Sequence, residues 1–300
     1  MYDIIIIGGG PAGLTAAVYG LRNGKSVFII EKSVFGGQIV NSPKVENIPG
    51  FDSISGDDFA DKFLDQAMKQ GAQMTLEEVT SVEKTGDSFS VKTLEGGTYE
   101  GKTIILATGT THRLLGLPGE EELIGSGISF CAVCDGDFYR DKTVVMIGGG
   151  NSAFVEANLL ADIVDNLIML QDMPYFTADQ KSQEQLFSHE NVEAHVNTKV
   201  LGYVTENGRL TGVRYEESGE ERLAECDGVF LAVGLVPCGD AFKHLAETDP
   251  TGYFVSSENC DTMTPGVFVA GDCRAKSLRQ VATACSDGAR AAVAACEFLR

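Results

Sequence analysis

Short apolar runs closed by glycine or by a single acid recur along the chain. Residues 3–7 read as a buried strand, and Gly8-Gly9-Gly10-Pro11-Ala12-Gly13 ends it. An apolar helix is expected over about 14–23, then a second strand from Ser26 to Ile30 that stops at Glu31. Strand, GxGxxG, helix, strand and acid in that order form a dinucleotide fingerprint. Its glycines allow a tight turn and let backbone amides approach a pyrophosphate at the helix start, and the acid can accept hydrogen bonds from a ribose. Residues 33–56 are turn-rich and include Gly36-Gly37-Gln38 and Val45-Glu46-Asn47-Ile48-Pro49-Gly50. A helix over about 57–70 follows, then hairpin-like strands turning near Gly96-Gly97, then the buried run Ile104-Ile105-Leu106 into Ala107-Thr108-Gly109.

The pattern then restarts. Thr143 to Ile147 reads as a strand, Gly148-Gly149-Gly150-Asn151-Ser152-Ala153 as a second fingerprint with alanine in the third glycine place, and a helix runs to about Ala161. A strand over 166–170 and a hairpin pattern over 209–225 lead into Gly228–Gly234, which parallels 104–109. From Gly8 to Gly109 the first copy is 15 residues longer than the second from Gly148 to Gly234, and the 33–56 loop is the surplus. The last segment, Gly266-Val267-Phe268-Val269-Ala270-Gly271-Asp272, is a strand ending in Gly-Asp. A small-residue helix with Arg279, Gln280 and Val281 at its start comes after it. Asp272 could hold a polyol chain and the helix start could face an electron-rich ring, although a plain strand–turn–helix fits the same residues.

Composition narrows the class. Three hundred residues suggest about two domains. A hydrophobic share of 43% with 35 glycines fits a globular α/β protein and not a disordered one. The net charge of −20 argues against nucleic acid or an anionic membrane surface as a partner. Ile4–Ile7 is too short for a signal peptide or a membrane span, so a cytoplasmic location is expected.

The chemistry concentrates at Cys131-Ala132-Val133-Cys134-Asp135-Gly136. Two thiols two residues apart can close a disulfide across one helical turn and pass two electrons by thiol–disulfide exchange. Asp135 could trade a proton with them, or simply cap the turn. A CxxC is also half of a zinc site, but Cys226, Cys238, Cys260, Cys273, Cys285 and Cys296 form no second CxxC and the four histidines no HxxxH, so no metal is expected. In a reducing compartment such a pair points to catalysis.

Taken together, GGGPAG, GGQ, VENIPGF, ATG, CAVCDG, the second GGGNSA and the terminal VFVAGD with RQVATA resemble the low-molecular-weight thioredoxin reductase family over nearly all of the chain. The resemblance implies an α/β fold of two Rossmann-like dinucleotide-binding domains of the three-layer ββα type, the second inserted into the first. The FAD domain would comprise 1–112 and 240–300, and the redox domain 113–239. It implies FAD contacts at Gly8, Gly10, Pro11, Ala12 and Glu31 from the first fingerprint, and at Gly37, Gln38 and Asn47 from the long loop. Ala107 and Gly109 would add contacts from the ATG segment, and Gly271, Asp272, Gln280 and Val281 from the C-terminal segment. Cys134 would be the sulfur nearer the flavin, Cys131 the thiol that attacks a thioredoxin disulfide, and Asp135 the acid. A homodimer and a large rotation between the domains are also implied.

One stretch departs from that pattern. The NADPH-using family carries an arginine-rich run after the strand that follows the second fingerprint, where it holds the 2′-phosphate. Here the strand ends Leu170-Gln171-Asp172-Met173-Pro174-Tyr175, and no arginine occurs between Arg140 and Arg209. The place matching Glu31 is Gln171, although Asp172 beside it could reach a ribose. Phe154 is bulky for a helix start of this kind. The chain thus looks like the subgroup that lacks NADPH motifs and takes electrons from ferredoxin, docked on a local basic patch. NADH or NADPH as donor, and a flavin redox sensor without steady turnover, are the alternatives. An alkyl hydroperoxide reductase subunit would be expected to carry a further N-terminal redox domain.

Overall fold

The structure is a computed structural model that describes every residue except Pro43, Lys44 and Glu46, so the acid of the Val45–Phe51 motif lies outside the described residues. The chain forms two compact units, Met1–Thr111 with Val236–Arg300, and His112–Leu235. The second unit is therefore an insertion within the first.

In chain order, the first segment contains β1 (Tyr2–Ile7), α1 (Pro11–Arg22), β2 (Val27–Glu31), α2 (Gly56–Lys69), β3 (Gln73–Leu76), β4 (Val79–Thr85), β5 (Ser88–Thr93), β6 (Thr98–Leu106) and β7 (Thr110–His112). The insertion holds α3 (Glu120–Leu123), β8 (Ile128–Ser129), α4 (Ala132–Asp135), β9 (Thr143–Ile147), α5 (Asn151–Ala161), β10 (Asn166–Leu170), α6 (Gln180–Leu186), β11 (Val192–His195), β12 (Thr198–Glu206), β13 (Arg209–Glu217), β14 (Glu220–Glu225) and β15 (Gly228–Leu231). β16 (Leu235–Pro237), β17 (Val267–Val269) and α7 (Val281–Phe298) complete the chain.

In the first unit the parallel order is β3-β2-β1-β6-β17, and β5 and β4 extend antiparallel from the other part of β6. β1 sits centrally, which explains its unbroken isoleucines: Ile4, Ile5 and Ile6 are fully buried. Each such side chain is worth about 1.5–3 kcal/mol relative to exposure. Alternate residues face two cores. Ile4 and Ile6 meet α1 and α7, while Ile5 and Ile7 meet the side that holds Val82, Phe89 and Val91. Helices, parallel sheet and antiparallel meander thus make three layers.

The insertion repeats the plan. Its parallel sheet runs β11-β10-β9-β15-β8, and β12-β13-β14 form the antiparallel layer, one strand more than the hairpin expected over 209–225. α1 begins three residues before its expected start because Pro11 occupies the first helical position, where a missing N–H costs nothing. The chain passes between the units on β7 and β16, which pair as a two-stranded ribbon; within the insertion, Arg113 N–H donates to Gly234 O (2.9 Å). Among the described residues no helix is long and apolar enough to cross a membrane.

Candidate active site

In the first unit β1 delivers the chain to Gly8 at φ +108°, and a Cβ there would lie 2.2 Å from Ala107 O. Only glycine fits this approach of fingerprint and ATG segment. Gly10 caps α1, followed by Pro11 and the buried Ala12. Gly9 N–H donates to Glu31 Oε2 (2.7 Å), and Ser33 N–H donates to Glu31 Oε1 (2.9 Å), which holds the acid beside the glycine turn with 8% of its surface exposed.

The long loop folds back onto this turn. Gly36 N–H donates to Gly9 O (2.8 Å), and a Cβ on Gly37 would lie 3.2 Å from Gly10 Cα. Gln38 Nε2 donates to Thr110 O, just beyond Gly109. Asn47 Nδ2 donates to Gln280 Oε1 (2.8 Å) across 233 residues of sequence. Gln280 caps α7, which starts at Val281, and closes a reciprocal box with Thr283. A Cβ on Gly271 would lie 2.8 Å from Ala12 Cβ, so the Gly-Asp turn also sits on the fingerprint. The sequence-predicted contacts thus gather from five segments at the carboxyl ends of the parallel strands, where α/β sheets bind ligands.

Two polar atoms fit this unit to a large polar cofactor. Thr108 Oγ1 and Asp272 Oδ1 are buried without a hydrogen-bond partner, although Lys276 Nζ lies 3.4 Å from the latter. Burial pushes the Asp272 carboxyl up, and Lys276 draws it part of the way back. Buried polar groups left short of hydrogen bonds are costly, so hydroxyl or amide groups of a bound cofactor would suit Thr108 Oγ1 and the free lone pairs of Asp272 Oδ1, which has Lys276 beside it. FAD supplies both kinds of group. An unforeseen ion cluster stands behind Asp272: the buried Asp287 of α7 takes Arg274 Nη1 (2.8 Å), Lys276 Nζ (3.0 Å) and Gly271 N–H (3.3 Å).

In the insertion Cys131 and Cys134 form a disulfide, with Cα atoms 5.4 Å apart. Cys131 is the N-cap of α4, and its Sγ accepts from Cys134 N–H (3.2 Å). Ser129 ties the turn together. Its Oγ accepts from Cys131 N–H (3.1 Å) and donates to Asp135 Oδ2 (2.6 Å). Glu156 on α5 accepts the N–H of Ala132. Neither Ser129 nor Glu156 was singled out from the sequence. The available signal for Glu156 was that it is the one acid in an otherwise uncharged helix.

The second fingerprint is built like the first. Gly148 has φ +129°, and a Cβ there would lie 2.4 Å from Ala232 O. Gln171, 6% exposed, lies where Glu31 lies in the other unit. A Cβ on Gly149 would come 2.5 Å from its Cδ, and Gln171 Nε2 donates to Tyr175 O (3.3 Å). Asp172 next to it is exposed. His195, whose carbonyl accepts Gln171 N–H (3.0 Å), holds its ring between Glu193 (2.9 Å) and Glu217 (2.9 Å), with Arg222 paired to Glu217 (2.6 Å). Phe154 is fully buried and packs edge-on against Phe176 (5.2 Å) and Phe187 (5.8 Å). It faces the helix-side core, so its bulk says nothing against a ligand at the helix start, contrary to the sequence expectation.

The profile of the family described as Pyridine nucleotide-disulphide oxidoreductase matches residues 2–288. The chain is 44% identical over 290 residues to the thioredoxin reductase of Listeria monocytogenes, covering 96% of this chain and 91% of that one. It is 40% identical over 301 residues to the thioredoxin reductase of Treponema pallidum, covering 99% and 97%. Among solved structures, that of Lactococcus lactis thioredoxin reductase in the FR conformation superposes with a TM-score of 0.93 at 34% identity, covering 100% of this chain and 99% of that one. With two dinucleotide-binding folds, a disulfide on a helical turn and likeness from end to end, this chain belongs to the pyridine nucleotide-disulphide oxidoreductase family, as a disulfide oxidoreductase of the low-molecular-weight thioredoxin reductase type.

Proposed function

We propose that the chain is an FAD-dependent thioredoxin-disulfide reductase that draws its electrons from a reduced pyridine nucleotide. The observation that carries this reading is the Cys131–Cys134 disulfide on α4, with Asp135 held against Ser129 at its end. Gly8, Gly10, Pro11, Ala12, Glu31, Gly37, Gln38, Asn47, Ala107, Gly109, Gly271, Asp272, Gln280 and Val281 would hold the cofactor. When bound, FAD supplies the two-electron reduction of the bridge.

The chain's own residues do the rest. Breaking the S–S bond leaves two thiols, and Asp135 moves their protons at Cys134 and Cys131. The Cys131 thiolate, stabilised by Cys134 N–H, attacks one sulfur of the thioredoxin disulfide and displaces the other, which takes up a proton. Cys134 then attacks Cys131, releases the second thioredoxin thiol and remakes the bridge. Two electrons and two protons pass to thioredoxin in each round.

The family description supports a pyridine nucleotide as donor, and the start of α5 supplies the amide-lined turn for its pyrophosphate. Asp172, with Glu193 and Glu217 around His195, suits a ribose hydroxyl better than a 2′-phosphate, which favours NADH over NADPH. The ferredoxin-dependent subgroup expected from the sequence draws no support from the comparisons. What still favours it is the arginine-free stretch from Arg140 to Arg209 and Gln171 in the place of an acid. A homodimer and a cytoplasmic location belong to the same reading. The six remaining cysteines are unbridged, as a reducing compartment keeps them.

An anaerobic titration of the yellow protein tests the donor. NADH is expected to bleach the flavin band promptly and NADPH more weakly; bleaching by reduced ferredoxin alone would reverse that choice. Bleaching without onward transfer to thioredoxin would mark a redox sensor. Cys131→Ser is expected to cut thioredoxin reduction by about 1000-fold or more while flavin reduction persists, and full thioredoxin activity in that variant would overturn the assigned roles.

A further inference from the structure

α5 does two things at once: its first turn closes the second fingerprint, and its second turn sends Glu156 to the amide of Ala132, the residue after Cys131. Ala132 N–H is the first amide of α4, directly after Cys131, and Ala132 itself is 1% exposed. A thiolate at Cys131, the N-cap, draws on the amides at the start of α4, chiefly that of Cys134, the third residue of the helix. The Cys134 amide already points at Cys131 Sγ (3.2 Å), whereas the Ala132 amide is taken by the Glu156 carboxylate. Glu156 thus places a carboxylate across the α4–α5 contact on the residue next to Cys131, a like charge for any thiolate formed there.

We propose that Glu156 is a positioning residue of the Cys131–Cys134 couple, which fixes the α4 turn through Ala132 and holds down the thiolate character of Cys131 after reduction. The inference rests on the reading of this disulfide as the working pair. Burial pushes the Glu156 carboxyl up, and the Ala132 amide draws it part of the way back. α5 packs against α4, α6, β9 and β10. Of these, α4 carries Asp135, α6 carries Lys181 and Glu184, and β9 and β10 carry no titratable group; the turn after α4 adds Asp137, paired with Arg140, and Tyr139. Asp135 is bound to Ser129, and Glu156 to Ala132, so two carboxylates are tied to residues of the same short turn as the cysteines. Removing one of them should be felt at the sulfur as a change of charge, with no loss of fold.

The test uses the flavin-loaded full chain carrying Cys134→Ser, fully reduced, and follows alkylation of Cys131 by iodoacetamide against pH, with the modified peptide identified by mass spectrometry. Glu156→Gln keeps an acceptor for Ala132 N–H but removes the charge. Its alkylation midpoint is expected to fall by about half a pH unit or more. In the chain that retains both cysteines, the same substitution is expected to shift the dithiol–disulfide equilibrium against glutathione by about threefold or more toward the dithiol. Glu156→Asp, which keeps the charge, should lie closer to the parent in both measurements. If Glu156→Gln, folded and yellow, keeps the parent midpoint and the parent equilibrium, the proposal is overturned. Neither measurement involves thioredoxin or a donor. A Cys131→Ser chain that still reduces thioredoxin would therefore strike the functional reading, while the alkylation midpoint judges Glu156 by itself.

Discussion

The two glycine turns are near copies in backbone and differ in what stands beside them. At Gly8 and Gly148 the same close approach to a carbonyl recurs, 2.2 Å and 2.4 Å for an added Cβ. Beside the first, Glu31 offers a carboxylate that already accepts Gly9 N–H. Beside the second, Gln171 turns its amide toward Tyr175 O, and the neighbouring Asp172 is an exposed acid. Among the described residues, the buried polar atoms without a hydrogen bond are Thr108 Oγ1 and Asp272 Oδ1 in the first unit, the latter beside Lys276, and Asn158 Oδ1 in the second half of α5 in the insertion. The shared backbone suits a pyrophosphate at either turn, and under the proposed function the flanking side chains would set which nucleotide each one takes.

The sharpest way to break this comparison is at the glycines. Gly8→Val forces a branched side chain into φ +108° against Ala107 O, and is expected to reduce bound flavin per chain by more than about tenfold, read from the visible spectrum. Gly148→Val carries the same insult into the insertion and is expected to leave the protein yellow. Equal flavin loss in both would show that the two turns are not independent. A smaller effect should come from Asp172→Arg, which supplies the missing cation for a 2′-phosphate. It is expected to raise kcat/KM for NADPH relative to NADH by about tenfold, and an unchanged ratio would place the nucleotide elsewhere. The smallest concerns how each central strand is anchored. β9 starts at Thr143, whose N–H donates to Asp227 (3.1 Å), while β1 starts beside Asp3, held down to about 2 by hydrogen bonds from Lys102 and Ser26. A depressed carboxyl stabilises the fold above its ordinary titration range and loses that contribution as pH falls through about 2. Lys102→Met should therefore cost about 0.5 kcal/mol at neutral pH and almost nothing at pH 2, read from urea unfolding.

Much of this was legible in the chain because it depends on backbone. A short isoleucine run closed by three glycines reads as a buried strand entering a tight turn, and that reading needs no knowledge of where side chains point. What stayed hidden depends on side-chain direction. Phe154 looked like an obstruction at a helix start, yet helical rotation carries it into the Phe176–Phe187 cluster. Glu156 was only one acid among 43 Asp and Glu residues, until α4 was seen to lie against α5. The Asn47–Gln280 bond joins residues 233 apart, beyond the reach of any local pattern. The ferredoxin expectation rested on missing arginines, and a missing residue type does not name the donor that takes its place.

The ribbon of β7 and β16 has a consequence for descent. Because the insertion leaves and rejoins its host on neighbouring strands, with Arg113 and Gly234 bonded to each other, it is spliced in like a cassette at the tip of a hairpin. A whole second fold can sit between Thr111 and Val236 there without unpairing a strand of the host sheet. The same doorway would let one insertion be exchanged for another while the host sheet stayed as it is.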